Sequence, residues 1–141
     1  MAKRTHETNI EALLAEHRVK PTPQRVVIAD FLMGTHSHPT ADEIFKKVAD
    51  KLPVPLSRAT VYNTLNTLVE AGVIKEVFTE PGCARYDANT TEHHHFVDVK
   101  TGKVFDIEPD QVTNLSPSLG DLYKVHNYHV TFFGEFKEEK R

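Results

Sequence analysis

The stretch Ser57-Arg58-Ala59-Thr60-Val61-Tyr62-Asn63-Thr64-Leu65-Asn66-Thr67-Leu68-Val69-Glu70-Ala71-Gly72 decides the fold. Ser57 is a good N-cap, and Val61, Leu65, Leu68 and Val69 recur at spacings of four and three, which predicts a helix with one apolar face. Thr60, Asn63 and Thr67 fall opposite that face, with Tyr62 and Asn66 on its flank and Arg58 in the first turn, where its side chain can swing outward. A face this short, polar and aromatic suits a DNA major groove, where Arg reads guanine, Asn reads adenine, and Thr or Tyr touches thymine methyls or phosphates. It equally suits a solvated helix face.

The flanking segments favour the groove. Downstream, Val73-Ile74-Lys75-Glu76-Val77-Phe78 and Ala84-Arg85-Tyr86 read as strands joined by the Pro-Gly turn of Thr79-Glu80-Pro81-Gly82. Upstream, Ile10, Leu13, Leu14 and His17 have helical spacing up to Val19-Lys20-Pro21. Thr22 then caps a helix with Pro23 at its first position, Val26, Val27, Phe31 and Leu32 form its stripe, and Gly34 ends it. Thr40 and Glu43 have capping-box spacing ahead of a short helix through Ile44, Phe45 and Val48. Helices followed by a hairpin give the order of a winged helix-turn-helix, with the hairpin able to lie along the phosphate backbone.

A second signal lies beyond the hairpin. The run His93-His94-His95, set between Asp87 and Asp106, offers imidazole and carboxylate ligands for a borderline divalent metal. His95-Phe96-Val97-Asp98-Val99 alternates, Lys100-Thr101-Gly102-Lys103 turns, and Val104-Phe105-Asp106-Ile107 returns as a hairpin. Pro109 can open a helix containing Val112 and Leu115, interrupted at Ser116-Pro117-Ser118, and His129-Val130-Thr131-Phe132-Phe133 makes a third strand. A three-stranded sheet with one helix leaves an apolar face and an open edge, which a second copy of the chain would complete.

Composition narrows the classes. The 141 residues are 39% hydrophobic, enough for one moderate core or two small ones. No apolar stretch approaches the roughly 20 residues needed to span a bilayer, and residues 1–6 carry no apolar signal core, so a cytoplasmic protein with no membrane partner is expected. The lone Cys83, on the hairpin turn, excludes an intramolecular disulfide and a thiolate-rich metal knot, and no activating partner for it is evident. Lys and Arg number 10 against 10 acids in residues 1–84 and 7 against 10 in residues 85–141, so any DNA contact must come from a local face or from a dimer.

Thr22-Pro23-Gln24-Arg25, His38-Pro39-Thr40-Ala41-Asp42-Glu43-Ile44, the Ser57 to Leu65 run, and Arg85-Tyr86-Asp87 followed by the histidines together resemble the ferric uptake regulator superfamily. The resemblance covers nearly the whole chain. It implies an α+β fold: a winged helix-turn-helix DNA-binding domain over 1–84, and a small α/β dimerisation and metal-sensing domain over 85–141, with a hinge near 85–92. It also implies a homodimeric transcriptional repressor, not an enzyme, that binds palindromic operator DNA through Arg25, Arg58, Tyr62 and Asn66. In the peroxide-sensing branch, the regulatory ligands fall here on His38, Asp87, His93, His95 and Asp106, holding Fe²⁺ or Mn²⁺, with Zn²⁺ able to enter in vitro. His93 and His95 share one side of an extended segment, while His94 points away. The resemblance further implies that peroxide oxidises a ligand histidine, His38 or His93, when Fe²⁺ is bound. Iron-sensing relatives more usually carry Glu where this chain has Asp87.

A second metal set is conceivable from Glu92, His94 and His129, with Glu108, Asp110 or His126 as substitutes; otherwise His94 is a solvent-facing strand residue. Iron-responsive and haem-responsive regulators are the neighbouring readings. Outside DNA binding, a mononuclear oxygenase-like metalloenzyme or a metal store fits the same ligands. Most relatives of this kind hold a structural zinc on two Cys-x-x-Cys pairs, where this chain has Asp98-Val99-Lys100-Thr101 and Phe133-Gly134-Glu135-Phe136. Without that four-cysteine zinc, the sheet is expected to rely on apolar packing through Val97, Val99, Val104, Ile107, Phe132 and Phe133.

Overall fold

The computed structural model describes residues 6–137, and the polar lead at residues 1–5 lies outside them. The chain divides into two compact units, Met1–Thr90 and Thr91–Arg141. Residues 85–87 stay with the first unit because they pair as a strand within it.

In the first unit, helix α1 (His6–Glu16) buries Ile10, Leu13 and Leu14 and ends before Arg18, which takes the left-handed conformation at φ 64°. That turn lets the Val19 amide donate to the Leu14 carbonyl, satisfying an orphan acceptor of the last turn. Helix α2 (Pro23–Met33) starts where Thr22 Oγ1 accepts the Arg25 amide and stops at Gly34. Helix α3 (Ala41–Val48) opens on the full capping box of Thr40 and Glu43. Helix α4 (Arg58–Glu70) follows the Ser57 cap and buries Val61, Thr64, Leu65 and Leu68.

These helices share a core that includes Leu14, Ile28, Leu32, Ile44, Leu65, Leu68 and Ile74. Strands β1 (Lys75–Glu80) and β2 (Cys83–Asp87) form the antiparallel hairpin, turning at Gly82 (φ 76°), with a bulge between Phe78 and Glu80. The half-buried Cys83 opens β2. An isolated bridge between Thr40 and Arg85 ties the N-terminus of α3 to β2.

In the second unit, the central strand β3 (His94–Asp98) pairs antiparallel with β4 (Val104–Ile107) and parallel with β5 (Thr131–Gly134). The expected helix at Pro109 does not form. Two 3₁₀ turns, Pro109–Gln111 and Ser116–Leu119, take its place. The first is closed by a Glu108/Gln111 box that completes only one turn, Val112 is already extended, and the Asn114 side chain accepts the Ser116 amide that a helix would have used.

The apolar packing also differs from expectation. Val97 and Val104 are buried and Ile107 is partly so, whereas Val99, Phe132 and Phe133 are exposed on the single chain. Phe136, beyond β5, instead packs its ring against Phe96 and Phe105 at centroid distances of 5.3 and 5.2 Å. Among the described residues, no helix is long and apolar enough to cross a membrane.

Candidate metal centre and helix face

In the first unit, His38 and Asp87 are brought together by the pairing of the α3 cap with β2. The Tyr86 amide donates to the Pro39 carbonyl, and Arg85 Nη1 donates to the His38 carbonyl at 3.1 Å. This leaves His38 Nε2 3.2 Å from Asp87 Oδ2, with both side chains buried. Asp87 Oδ1 accepts the Asn89 amide at 2.9 Å, so one oxygen is held by the backbone and the other faces the imidazole. His38 adopts φ 54°, an uncommon left-handed conformation immediately before a proline, and such local strain is concentrated at functional positions.

In the second unit, strand register does the positioning. His95 lies directly opposite Asp106 across β3 and β4, and His93, two residues earlier, shares that face. His93 Nε2 and His95 Nε2 stand 3.4 and 3.6 Å from Asp106 Oδ1. The ligand atoms of these three residues lie within 4.8 Å of one another. The remaining nitrogen of each ring is engaged: His93 Nδ1 donates to the Thr91 carbonyl at 2.7 Å, and His95 Nδ1 lies 2.7 Å from His129 Nε2. Orienting partners of this kind commonly fix ligand histidines in metal sites. The chemistry fits a divalent metal of intermediate softness: imidazole nitrogens aimed at carboxylates, with no thiolate.

His94 is not a solvent-facing strand residue. It is buried at 6% exposure, because residues 128–130 cover it: its Nδ1 accepts the Val130 amide at 3.0 Å and its ring stacks on Tyr128 at 5.6 Å. Glu92 is exposed, and His129 is engaged with His95, so Glu92, His94 and His129 do not gather as a ligand group among the described residues. The part of His129 as a partner of His95 is the feature the sequence did not reveal; the two are 34 residues apart, beyond the reach of any local spacing.

On α4, the exposed face carries Ala59, Tyr62, Asn63, Asn66 and Glu70, so Tyr62 and Asn66 are available as read from the periodicity. Arg58 does not swing free. Its guanidinium pairs with Asp42 on α3 and lies 4.5 Å over the Phe45 ring. The pairing holds the Asp42 carboxyl below its usual range and Arg58 above its own. Arg25, half-buried, sends Nη1 to the Lys20 carbonyl at 3.1 Å.

Proteins of this make-up are metal-dependent regulators of transcription, not enzymes, and that is the class into which the chain falls. It is 36% identical over 132 residues to the peroxide-responsive repressor PerR of Staphylococcus epidermidis, across 92% of this chain and 87% of that protein. Among solved structures it is similar to the Vibrio cholerae ferric uptake regulator (TM-score 0.74, 25% identity, 89% of this chain and 98% of that one). It is also similar to the Campylobacter jejuni peroxide stress regulator (TM-score 0.65, 25% identity, 96% of this chain and 99% of that one). Residues 16–133 match the ferric uptake regulator family, and the chain belongs to it.

Proposed function

We propose that this chain is a peroxide-responsive repressor whose regulatory ion, Fe²⁺ or Mn²⁺, takes His38, Asp87, His93, His95 and Asp106 as ligands. The observation that carries the reading is the pair of partial donor sets. His38 with Asp87 supplies one nitrogen and one carboxylate, and His93 and His95 with Asp106 supply two nitrogens and one carboxylate. Neither set alone fills the coordination sphere these ions prefer. Together they make a nitrogen and oxygen sphere suited to Fe²⁺ or Mn²⁺, one that Zn²⁺ can enter in vitro. The names of the relatives support the peroxide branch.

The chain's own groups then do three things. The Thr91 carbonyl holds the Nδ1 side of His93, so that its Nε2 is presented to the ion. An ion that needs ligands from both units favours arrangements in which both can reach it, and operator affinity follows that population. Moving the population from about 1:99 to 99:1 requires roughly 10⁴-fold tighter binding to the favoured state. The exposed Tyr62 and Asn66, with Arg58 and Arg25, contact a palindromic operator from each half of a homodimer. The exposed Val99, Phe132 and Phe133 leave apolar surface on the sheet for a second copy to cover. This chain lacks the thiolates of a four-cysteine zinc, and in the same unit Phe136 packs on Phe96 and Phe105. Such a repressor works in the cytoplasm, where its DNA is.

When bound, ferrous iron supplies the one-electron chemistry by which peroxide adds one oxygen to a neighbouring imidazole, that of His38 or His93. The test is a gel shift with the Mn²⁺-loaded and Fe²⁺-loaded protein, with and without peroxide, followed by peptide mass measurement. Both metals should promote operator binding. Peroxide should abolish it only with Fe²⁺, adding one oxygen to a peptide containing His38 or His93. If the Fe²⁺ form keeps its DNA and gains no oxygen, peroxide sensing is wrong and iron sensing replaces it.

A further inference from the structure

The segment leading into β5 is fastened to β3 by consecutive residues. The Val130 amide donates to His94 Nδ1, the His95 amide donates to the Val130 carbonyl at 3.0 Å, and His129 Nε2 sits 2.7 Å from His95 Nδ1. The two rings meet at 60° with centroids 4.8 Å apart, so the short contact is made nitrogen to nitrogen and not by stacking. At that separation a single proton lies between the nitrogens, one donating and the other accepting. Which ring donates decides what His95 can do. If His95 Nδ1 carries the proton, the lone pair of His95 is on Nε2, the atom facing Asp106 Oδ1 at 3.6 Å.

We infer that His129 is a positioning residue for the metal centre: its Nε2 accepts the His95 Nδ1 proton, fixing the tautomer and ring plane that direct His95 Nε2 to the ion. The inference rests on the proposed regulatory site. His93 obtains the same service from a backbone carbonyl, at Thr91. His95 obtains it from a side chain, and a side chain can be altered without disturbing the strand. His129 is itself exposed, so the contact with His95 is not forced on it by burial in a core.

The test uses the full-length protein and the variants His129→Leu, His129→Gln and His95→Ala. In the wild-type chain, metal-free and loaded with Zn²⁺, a ¹⁵N coupling across the hydrogen bond should link His95 Nδ1 to His129 Nε2, with the proton on His95. His129→Leu should lower Mn²⁺ affinity by about 10 to 100-fold and shift the Co²⁺ absorption bands. His129→Gln, whose amide oxygen accepts the same proton, should restore most of both. Wild-type Mn²⁺ affinity and an unchanged Co²⁺ spectrum in His129→Leu would overturn the inference, as would a proton residing on His129 Nε2 in the loaded protein. His95→Ala separates the two readings. If it too binds Mn²⁺ normally, the proposed metal site fails; if it loses the metal while His129→Leu does not, only the role of His129 fails. Should His129→Leu not fold, the coupling and the proton position in the wild-type chain decide.

Discussion

His95 and Asp106 stand directly opposite each other across β3 and β4, so a pair of candidate ligands is a consequence of strand register. A slip of one residue would turn one of them to the other face of the sheet. The register is set by the turn between the strands: the Asp98 carboxylate accepts the Lys100 amide and the Thr101 hydroxyl, and its carbonyl accepts the Gly102 amide at 2.7 Å. Gly102 adopts φ 78°, and a Cβ there would meet nothing within 4 Å, so a substitution is felt through the dihedral alone. Gly102→Ala should cost about 1 to 2 kcal/mol and weaken Mn²⁺ binding, with Gly102→Asn recovering part of both, since Asn tolerates this conformation. Thermal unfolding paired with Mn²⁺ titration checks it. An unchanged melting temperature would remove the turn as the device that sets the ligand pair.

Metal removal should leave the C-terminal unit folded. A single cysteine supplies no thiolate set for a structural ion. Phe136 instead packs on Phe96 and Phe105, and Lys100 Nζ pairs with Glu135 Oε1 at 2.7 Å. The ion pair is exposed and screened, so Lys100→Ala should change little. Phe136→Ala, which removes two aromatic contacts from a largely exposed ring, should cost about 1 kcal/mol. Circular dichroism in excess chelator measures this. Loss of strand signal on chelation would mean that a structural ion is needed after all.

Tyr86 gives a pH signature to the first unit. Burial, then the Glu76 carboxylate opposite it on β1, raises its hydroxyl pKa above the ordinary 10.0. A raised folded-state pKa means that the protonated form is favoured in the native state. Its contribution is therefore complete below pH 10 and lost as the pH climbs through the folded value. Unfolding midpoints in urea should fall above pH 10, and Tyr86→Phe should flatten that fall. A fall of equal slope in the variant would assign it to other groups.

The legible parts of this molecule were the local ones. Thr22, Thr40 and Ser57 cap their helices because a hydroxyl needs only the amide three residues on, and His93 shares a face with His95 because strands alternate. Where partners are distant, spacing was silent. Arg58 meets Asp42 sixteen residues upstream, His94 is covered by Tyr128 and Val130, and His95 finds His129. At Pro109 the reading of a proline as a helix start misled: Glu108 and Gln111 close a single turn, and the chain beyond satisfies its amides through Asn114 and the Tyr128 hydroxyl rather than through helix carbonyls.

The exposed face of α4 makes the final prediction, and its residues should not behave alike. Tyr62, at 48% exposure, and Asn66 project without a partner helix to absorb them, which suits base-edge contact. Tyr62→Ala and Asn66→Ala should each cost about 1 to 3 kcal/mol of operator affinity and relax sequence preference, leaving Mn²⁺ binding unchanged. Arg58 is different, because Asp42 already neutralises it and Phe45 supports its guanidinium. Arg58→Ala should therefore lose less specific affinity than Tyr62→Ala, and it should loosen the packing of α3 on α4. Arg25→Ala should weaken all sequences uniformly and reduce the dependence on salt by about one phosphate contact. Duplexes selected from a random pool by the Mn²⁺-loaded protein supply the operator, and titrations at several salt concentrations separate the two kinds of loss. Wild-type operator binding in both Tyr62→Ala and Asn66→Ala would show that this face does not read the groove.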